Sequence, residues 1–123
     1  MAEQKRKFLM MVMHGPENPE MATLAFMTAT AALASNIEVV MGFQSNGAAL
    51  VKKGVADSIE APGAAPLRDL VKMYLEAGGR MLVCGVCAEA RKIAPHDLTE
   101  GASIAGAATF VAEAADATNV FTY

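Results

Sequence analysis

Three short runs of this chain are apolar almost without interruption, and each gives way at once to turn residues. Residues 7–13 stop at His14-Gly15-Pro16. Residues 37–43 stop at Gln44-Ser45-Asn46-Gly47, and residues 80–84 stop at Gly85. Runs that lack polar–apolar alternation suit strands covered on both faces. Helical signals lie between them. Asn18-Pro19-Glu20 opens a helix: Asn caps free N–H groups, Pro fits the first helical position and Glu complements the dipole. That helix is expected to reach Ser35, and it is apolar nearly all round, which predicts burial on more than one side. Pro66 opens an amphipathic helix with Leu67, Leu70, Val71, Tyr74 and Leu75 on one face, and Gly78-Gly79 ends it. Shorter helices are expected over 48–53, stopped by Gly54, and over 86–92. Residues 57–65 and Pro95-His96-Asp97 read as loops. An alanine-rich helix over 103–115 and a closing strand over 119–123 complete the pattern. Strands alternating with helices predict a single α/β domain, 1–123, of the three-layer Rossmann- or flavodoxin-like kind, with a mainly parallel sheet flanked by helices.

Composition narrows what such a domain does. Hydrophobic residues make up 54% of the 123 and charged residues 19%, so the chain has ample material for a core and disorder is excluded. The net charge is −3 and no basic cluster exists beyond Lys5-Arg6-Lys7, so no partner of nucleic acid is expected. No membrane partner is expected either, because the longest apolar stretch, 22–34, is broken by Thr23, Thr28 and Thr30. The opening MAEQKRKFLMMVMHG imitates a secretory signal. Its apolar part, 8–13, is shorter than the roughly 7–15 residues of a signal core, and no small-residue cleavage site follows. It reads as the first strand of a cytoplasmic protein. A domain of about 150 residues buries only about 70% of its unfolded surface. The apolar surplus, which includes 25 alanines, therefore predicts a subunit interface and a homo-oligomer.

The chemistry concentrates in Met81-Leu-Val-Cys84-Gly-Val-Cys87-Ala-Glu-Ala-Arg91-Lys92. Cys84 falls at the carboxyl end of a parallel strand, the edge at which open α/β sheets bind ligands. Gly85 turns the chain, and the helix after it aims its N-terminal N–H groups at the Cys84 sulfur, which favours the thiolate. Cys87 and Arg91 are four apart on one helical face, and the guanidinium adds to that positive field. Two cysteines are too few for a disulfide scaffold, and CxxC spacing across a strand-to-helix turn points to thiol chemistry. His14, at the end of the first strand, and His96, beside Asp97, are candidate bases or donors for that thiol. Two Cys and two His at irregular spacing make a poor zinc set, so no metal is expected. The methionines read as adaptable core filler. GxGxxG and the Walker pattern are absent, so no nucleotide cofactor is expected.

With these residues in view the chain resembles the DsrE/DsrF-like family of small sulfur-relay proteins. The likeness covers His14-Gly15-Pro16-Glu17-Asn18-Pro19-Glu20, Ser45-Asn46-Gly47-Ala48, Leu82-Val83-Cys84-Gly85-Val86-Cys87 with Arg91, Asp97-Leu98-Thr99-Glu100-Gly101-Ala102, and Val120-Phe121-Thr122-Tyr123. The resemblance implies a parallel sheet flanked by helices and a homo- or hetero-oligomer, with a trimer or hexamer favoured. It also implies a cysteine at the strand end that carries sulfur as a persulfide. By position that cysteine is Cys84, seven residues before Arg91; Cys87 matches a second cysteine found in some members. An Arg-Gly pair common in the family reads Arg91-Lys92 here, which extends the expected helix slightly.

The function expected is that of a sulfur carrier, more than a turnover enzyme. Cys84 takes sulfane sulfur from a donor protein and passes it to the thiol of an acceptor, with Cys87 as a second thiol and Arg91, His14, His96 and Gly85 in support. Two alternatives stand beside it: a thiol–disulfide oxidoreductase using CxxC, and a non-catalytic assembly or small-ligand module with structural cysteines.

Overall fold

The computed structural model describes residues 5–123; residues 1–4, the head of the signal-like opening, lie outside the described residues. Its elements are β1 (Lys7–Val12), α1 (Pro19–Ala34), β2 (Glu38–Phe43), α2 (Leu67–Glu76), β3 (Arg80–Cys84), α3 (Gly85–Ala90), β4 (Ala102–Ala105), α4 (Ala107–Asp116) and β5 (Asn119–Thr122). Three 3₁₀ segments, Ser45–Val51, Ala56–Ser58 and Pro95–Asp97, bridge them. The strands form one sheet in the order β4-β3-β2-β1-β5, and every pairing is parallel. All the strands therefore end at one rim, which carries the site.

The expected start of α1 holds in detail: the Asn18 side chain accepts from the Met21 N–H at 3.2 Å, and Pro19 is the first helical residue. One side of the helix packs on the sheet and on α2, burying Ala22, Ala25, Phe26 and Ala29; Leu24 and Met27 face outward. The rings of Phe26, Phe43 and Tyr74 meet in this core, with centroids 5.7–5.9 Å apart. Tyr74 is fully buried, and its hydroxyl donates to the Arg80 carbonyl at 2.6 Å, which supplies the partner a buried phenol needs. The other sheet face is thinner. Leu9, Met11, Val40, Leu82 and Ala105 lie there beneath α4, which plants Phe110 among them.

The sequence expectations fail at four places, the first being α1, which within one chain is buried on one side and not on several. Residues 102–105 are a strand, not the start of the last helix. Ala102 to Ala105 pair with Met81 to Cys84, and this edge pairing overrides the helical preference of an alanine-rich segment that carries no period of its own. Gly106 separates the strand from α4. The short helix expected over 48–53 is instead a 3₁₀ segment that starts at Ser45 and ends at Val51. Gly47 permits it, because a Cβ there would collide with the Val12 carbonyl oxygen. Finally, α3 starts at Gly85 and ends at Ala90, shorter than the 86–92 expected. Lys92 takes a left-handed backbone, φ 57°, so the chain turns where a glycine would turn without penalty and lysine does not extend the helix.

Candidate functional site

β3 delivers Cys84 to the carboxyl rim, and the chain turns there without a spacer. Cys84 is itself the N-cap of α3, with extended backbone at φ −61° and ψ 119°. Its side chain makes no capping hydrogen bond, but the N–H groups of Val86 and Cys87 and the Cys87 thiol lie near enough to favour its charged form. Burial alone would push this thiol up. These neighbouring donors and the Arg91 charge outweigh burial and hold it below the ordinary cysteine value. Cys87 is displaced the other way. Burial raises it, and the neighbouring Cys84 thiol and its charge raise it further, against the Ser45 N–H and Arg91. Of the two thiols, Cys84 is therefore the one that ionises more readily and Cys87 the one that holds its proton longer.

The segment Ser45–Val51 supports the pair from the neighbouring strand, β2. The Ser45 N–H donates to Cys87 Sγ at 3.2 Å. Ser45 reaches this position in a left-handed conformation, φ 52°, which a serine adopts at a cost. Asn46 accepts from Arg91 Nη2 at 3.0 Å, while Arg91 Nη1 donates to the Cys87 carbonyl at 3.2 Å. The guanidinium is thereby fixed beside both sulfurs.

Asn46 also lies near enough to Glu17 to favour its charged form. The Glu17 carboxylate accepts the Gly15 N–H at 2.8 Å and lies 3.7 Å from His14 Nδ1. Burial raises the Glu17 carboxyl, but the Gly15 N–H, its own N–H, Asn46 and His14 together bring it below the usual range. A polar chain thus runs from His14 through Glu17, Asn46 and Arg91 to the thiols.

The predicted site residues divide accordingly. Cys84, Gly85, Cys87 and Arg91 come together as expected. His14 stands at the end of β1, and β2 lies between that strand and β3, so within one chain it joins the site only through Glu17 and Asn46. His96 is 85% exposed and sits 3.4 Å from Asp97; neither residue is among the groups acting on Cys84. Among the described residues no group of three or more His, Cys, Asp or Glu side chains is placed to hold a metal. Ser45, Asn46 and Glu17 received no role from the sequence. Their local signal was a turn and a helix entry, and only the β2-to-β3 pairing brings the first two beside the cysteines.

Cys84 forms part of the wall of a cleft of about 780 Å³ between α3, the β4–α4 junction and Phe110. Val86, Ile93, Pro95, Ile104 and Phe110 make it largely apolar, and Glu89 and Lys92 add its charges. A half-buried thiol whose ionisation is favoured can, as the thiolate, attack a sulfur–sulfur bond.

Comparison with known proteins places the chain among relatives. The family model described as DsrE/DsrF-like family matches residues 6–123. The chain is 39% identical over 97 residues to the uncharacterized protein MJ0760 of Methanocaldococcus jannaschii, covering 79% of this chain and only 35% of that one. It is 33% identical over 117 residues to MJ0989 of the same organism, covering 95% of this chain and 99% of that protein. Among solved structures it is similar to the ychN protein from E. coli, with a TM-score of 0.80 at 17% identity, covering 96% of this chain and 99% of that one. It is also similar to MTH1491 from Methanobacterium thermoautotrophicum, with a TM-score of 0.75 at 13% identity, covering 97% and 100%. At such identities these two structural likenesses concern the fold. No helix among the described residues is long and apolar enough to cross a membrane.

Proposed function

The chain belongs to the DsrE/DsrF-like family, and from that premise we propose that it is a sulfur carrier, which holds sulfane sulfur on Cys84 as a persulfide and relays it to a partner thiol. The observation that carries this reading is the Cys84 sulfur itself. It belongs to the N-cap residue of a helix, has its ionisation favoured by the nearby Val86 and Cys87 N–H groups, the Cys87 thiol and Arg91, and opens on a cleft. Sulfur transfer requires a thiolate, a route to it and a site that tolerates negative charge after loading. The donor's outer sulfur bonds to Cys84 while the donor thiolate leaves; an acceptor thiolate then attacks that outer sulfur and regenerates Cys84. A purely structural role fits poorly with a sulfur that lines a cleft.

The carrier reading includes protein donors and acceptors and a homo-oligomeric assembly. Exposed Val86, Ile104 and Val111, with Val86 and Ile104 at the cleft itself, are the apolar surface a second copy would cover. Light scattering that finds only monomers at working concentration removes that part.

The central test is intact mass after exposure to a persulfide donor. The wild type should gain the mass of sulfur and Cys84→Ser should gain far less. A wild type that takes up no sulfur, or a Cys84→Ser chain that takes up as much, overturns the proposal.

A further inference from the structure

The second thiol stands three residues from the first at the same helix start, and this bears on the fate of a loaded site. We propose that Cys87 discharges a loaded Cys84, closing a Cys84–Cys87 disulfide and releasing hydrosulfide when no acceptor thiol arrives first. The inference rests on the carrier reading and adds to it an activity, sulfide release, together with a time limit on the cargo.

The geometry supplies each requirement. Cys84 is the N-cap of α3 and Cys87 lies three residues on, where positions three apart on a helix face one another. The two thiols are neighbours close enough for the ionisation of each to affect the other. Two backbone contacts hold Cys87 in place: the Ser45 N–H on its sulfur at 3.2 Å and Arg91 Nη1 on its carbonyl at 3.2 Å. A neighbouring thiol held in this way acts at high effective concentration. Its geometry is also that of CxxC pairs at helix starts, which cycle readily between dithiol and disulfide.

Atoms and electrons balance in this step. A loaded Cys84 ends in an outer sulfur that carries the negative charge. Cys87 gives its proton to that outer sulfur and attacks the inner one, Cys84 Sγ. The Cys84–Cys87 bond forms, the inner–outer bond breaks, and its electron pair leaves with the outer sulfur as HS⁻. One negative charge enters the step and one leaves. The Cys87 and Cys84 sulfurs are together oxidised to a disulfide, and the sulfane sulfur is reduced to sulfide. A dithiol reductant then restores the starting pair. Burial and an ionised Cys84 both hold the proton on Cys87; loading moves the Cys84 charge one atom outward and so weakens the second of these, while the Ser45 N–H and Arg91 still favour the Cys87 thiolate.

The test compares wild type with Cys87→Ser. Both are exposed to a small-molecule persulfide donor, stripped of it, and kept without added thiol. Free sulfide is trapped and intact mass is followed. The wild type should release one sulfide per chain and end two hydrogens lighter than it began, at least about tenfold faster than Cys87→Ser loses its sulfur. A wild type that keeps its sulfur as long as Cys87→Ser, or that moves it onto Cys87 without freeing sulfide, overturns the inference and leaves the carrier reading standing. If Cys87→Ser takes up no sulfur and the wild type frees no sulfide, both fall.

Discussion

The two rims of the sheet are built on opposite principles. At the amino rim the first residues of three strands, Lys7, Glu38 and Arg80, meet the end of α4. Lys7 is nearly buried, and its ammonium lies 2.7 Å from Glu113, 2.8 Å from Asp116 and 3.7 Å from Glu38. Arg80 reaches Glu113 at 3.1 Å. The left-handed turns into β2, β3 and β4 are given to Asn36, Gly78 and Gly101, residue types that accept them cheaply. At the carboxyl rim and its cleft the same backbone conformation is forced on Ser45 and Lys92. There the group whose ionisation is favoured is a cysteine sulfur on the cleft wall. One rim satisfies local rules and holds the fold together. The other violates them where the thiols sit, which is where strain is expected in a working site.

The largest effect should come from Lys7→Met. Removing the ammonium leaves Glu113, whose side chain is 13% exposed, with Arg80 alone as cation. Breaking one partner out of a largely buried ion pair costs several kcal/mol; with Arg80 remaining, about 2–4 kcal/mol is expected in urea unfolding. Sulfur loading of the folded variant at Cys84 should be unchanged. A loss below about 0.5 kcal/mol would place the rim among ordinary surface pairs and break the contrast.

Acid should weaken the same rim by a smaller amount, since a neutral carboxyl still accepts a hydrogen bond from Lys7. The Glu113 carboxyl is held low by hydrogen bonding to Lys7, against the cost of burial and with help from Arg80. Its contribution is therefore complete above the ordinary carboxylate range and disappears as pH falls through the lowered folded value. Lys7 is held high by Asp116 and Glu113, so its contribution is complete below the ordinary ammonium value and disappears as pH rises through the raised one. Hydrogen exchange should show α4 losing protection before α1 as the solution is acidified. Equal loss in both helices would mean that the rim does not pin α4 specifically.

These rims were unequally legible in the sequence. The parallel sheet followed from runs without alternation, and α1 and α2 from Asn18-Pro19, Pro66 and Gly78-Gly79. The cysteines were placed correctly because a strand end followed by a helix start is a local feature. β4 was hidden, because Ala-Ser-Ile-Ala has no period and becomes a strand only beside β3. Asn46 and Glu17 were hidden too. They serve the thiols through the Arg91–Asn46 and Asn46–Glu17 contacts, and such contacts depend on which strands are neighbours. Lys7 read as part of a short basic cluster, and nothing local announced that α4 would return two carboxylates to it.

Gly78→Ala tests the cheap turns of the amino rim. Gly78 sits at φ 93°, and a Cβ there would touch nothing within 4 Å, so backbone conformation is the whole effect. A loss of about 1–2 kcal/mol is expected. No loss would show that the turn into β3 can relax, and that glycine is not what makes this rim cheap.

The smallest effect, and the one of opposite sign, belongs to Lys92→Gly. Glycine relieves a left-handed lysine of about 1–2 kcal/mol but adds freedom to the unfolded chain at a cost of about 0.5–1 kcal/mol, leaving a net gain of about 0.5–1 kcal/mol. For a domain of this size the gain corresponds to a rise in Tm of about 2–5 °C, readable by calorimetry. Lys92 also lines the cleft, so the same substitution deletes one of its two charges. Sulfur loading by a neutral persulfide donor should not change, since Arg91 and the backbone N–H groups, not Lys92, act on Cys84. A stabilised variant that loads normally identifies the strain at this rim as a backbone cost separable from thiol chemistry. A variant that melts lower shows that the lysine stem contributes more by packing along the cleft than its backbone loses, and the contrast between the rims would then rest on Ser45 alone.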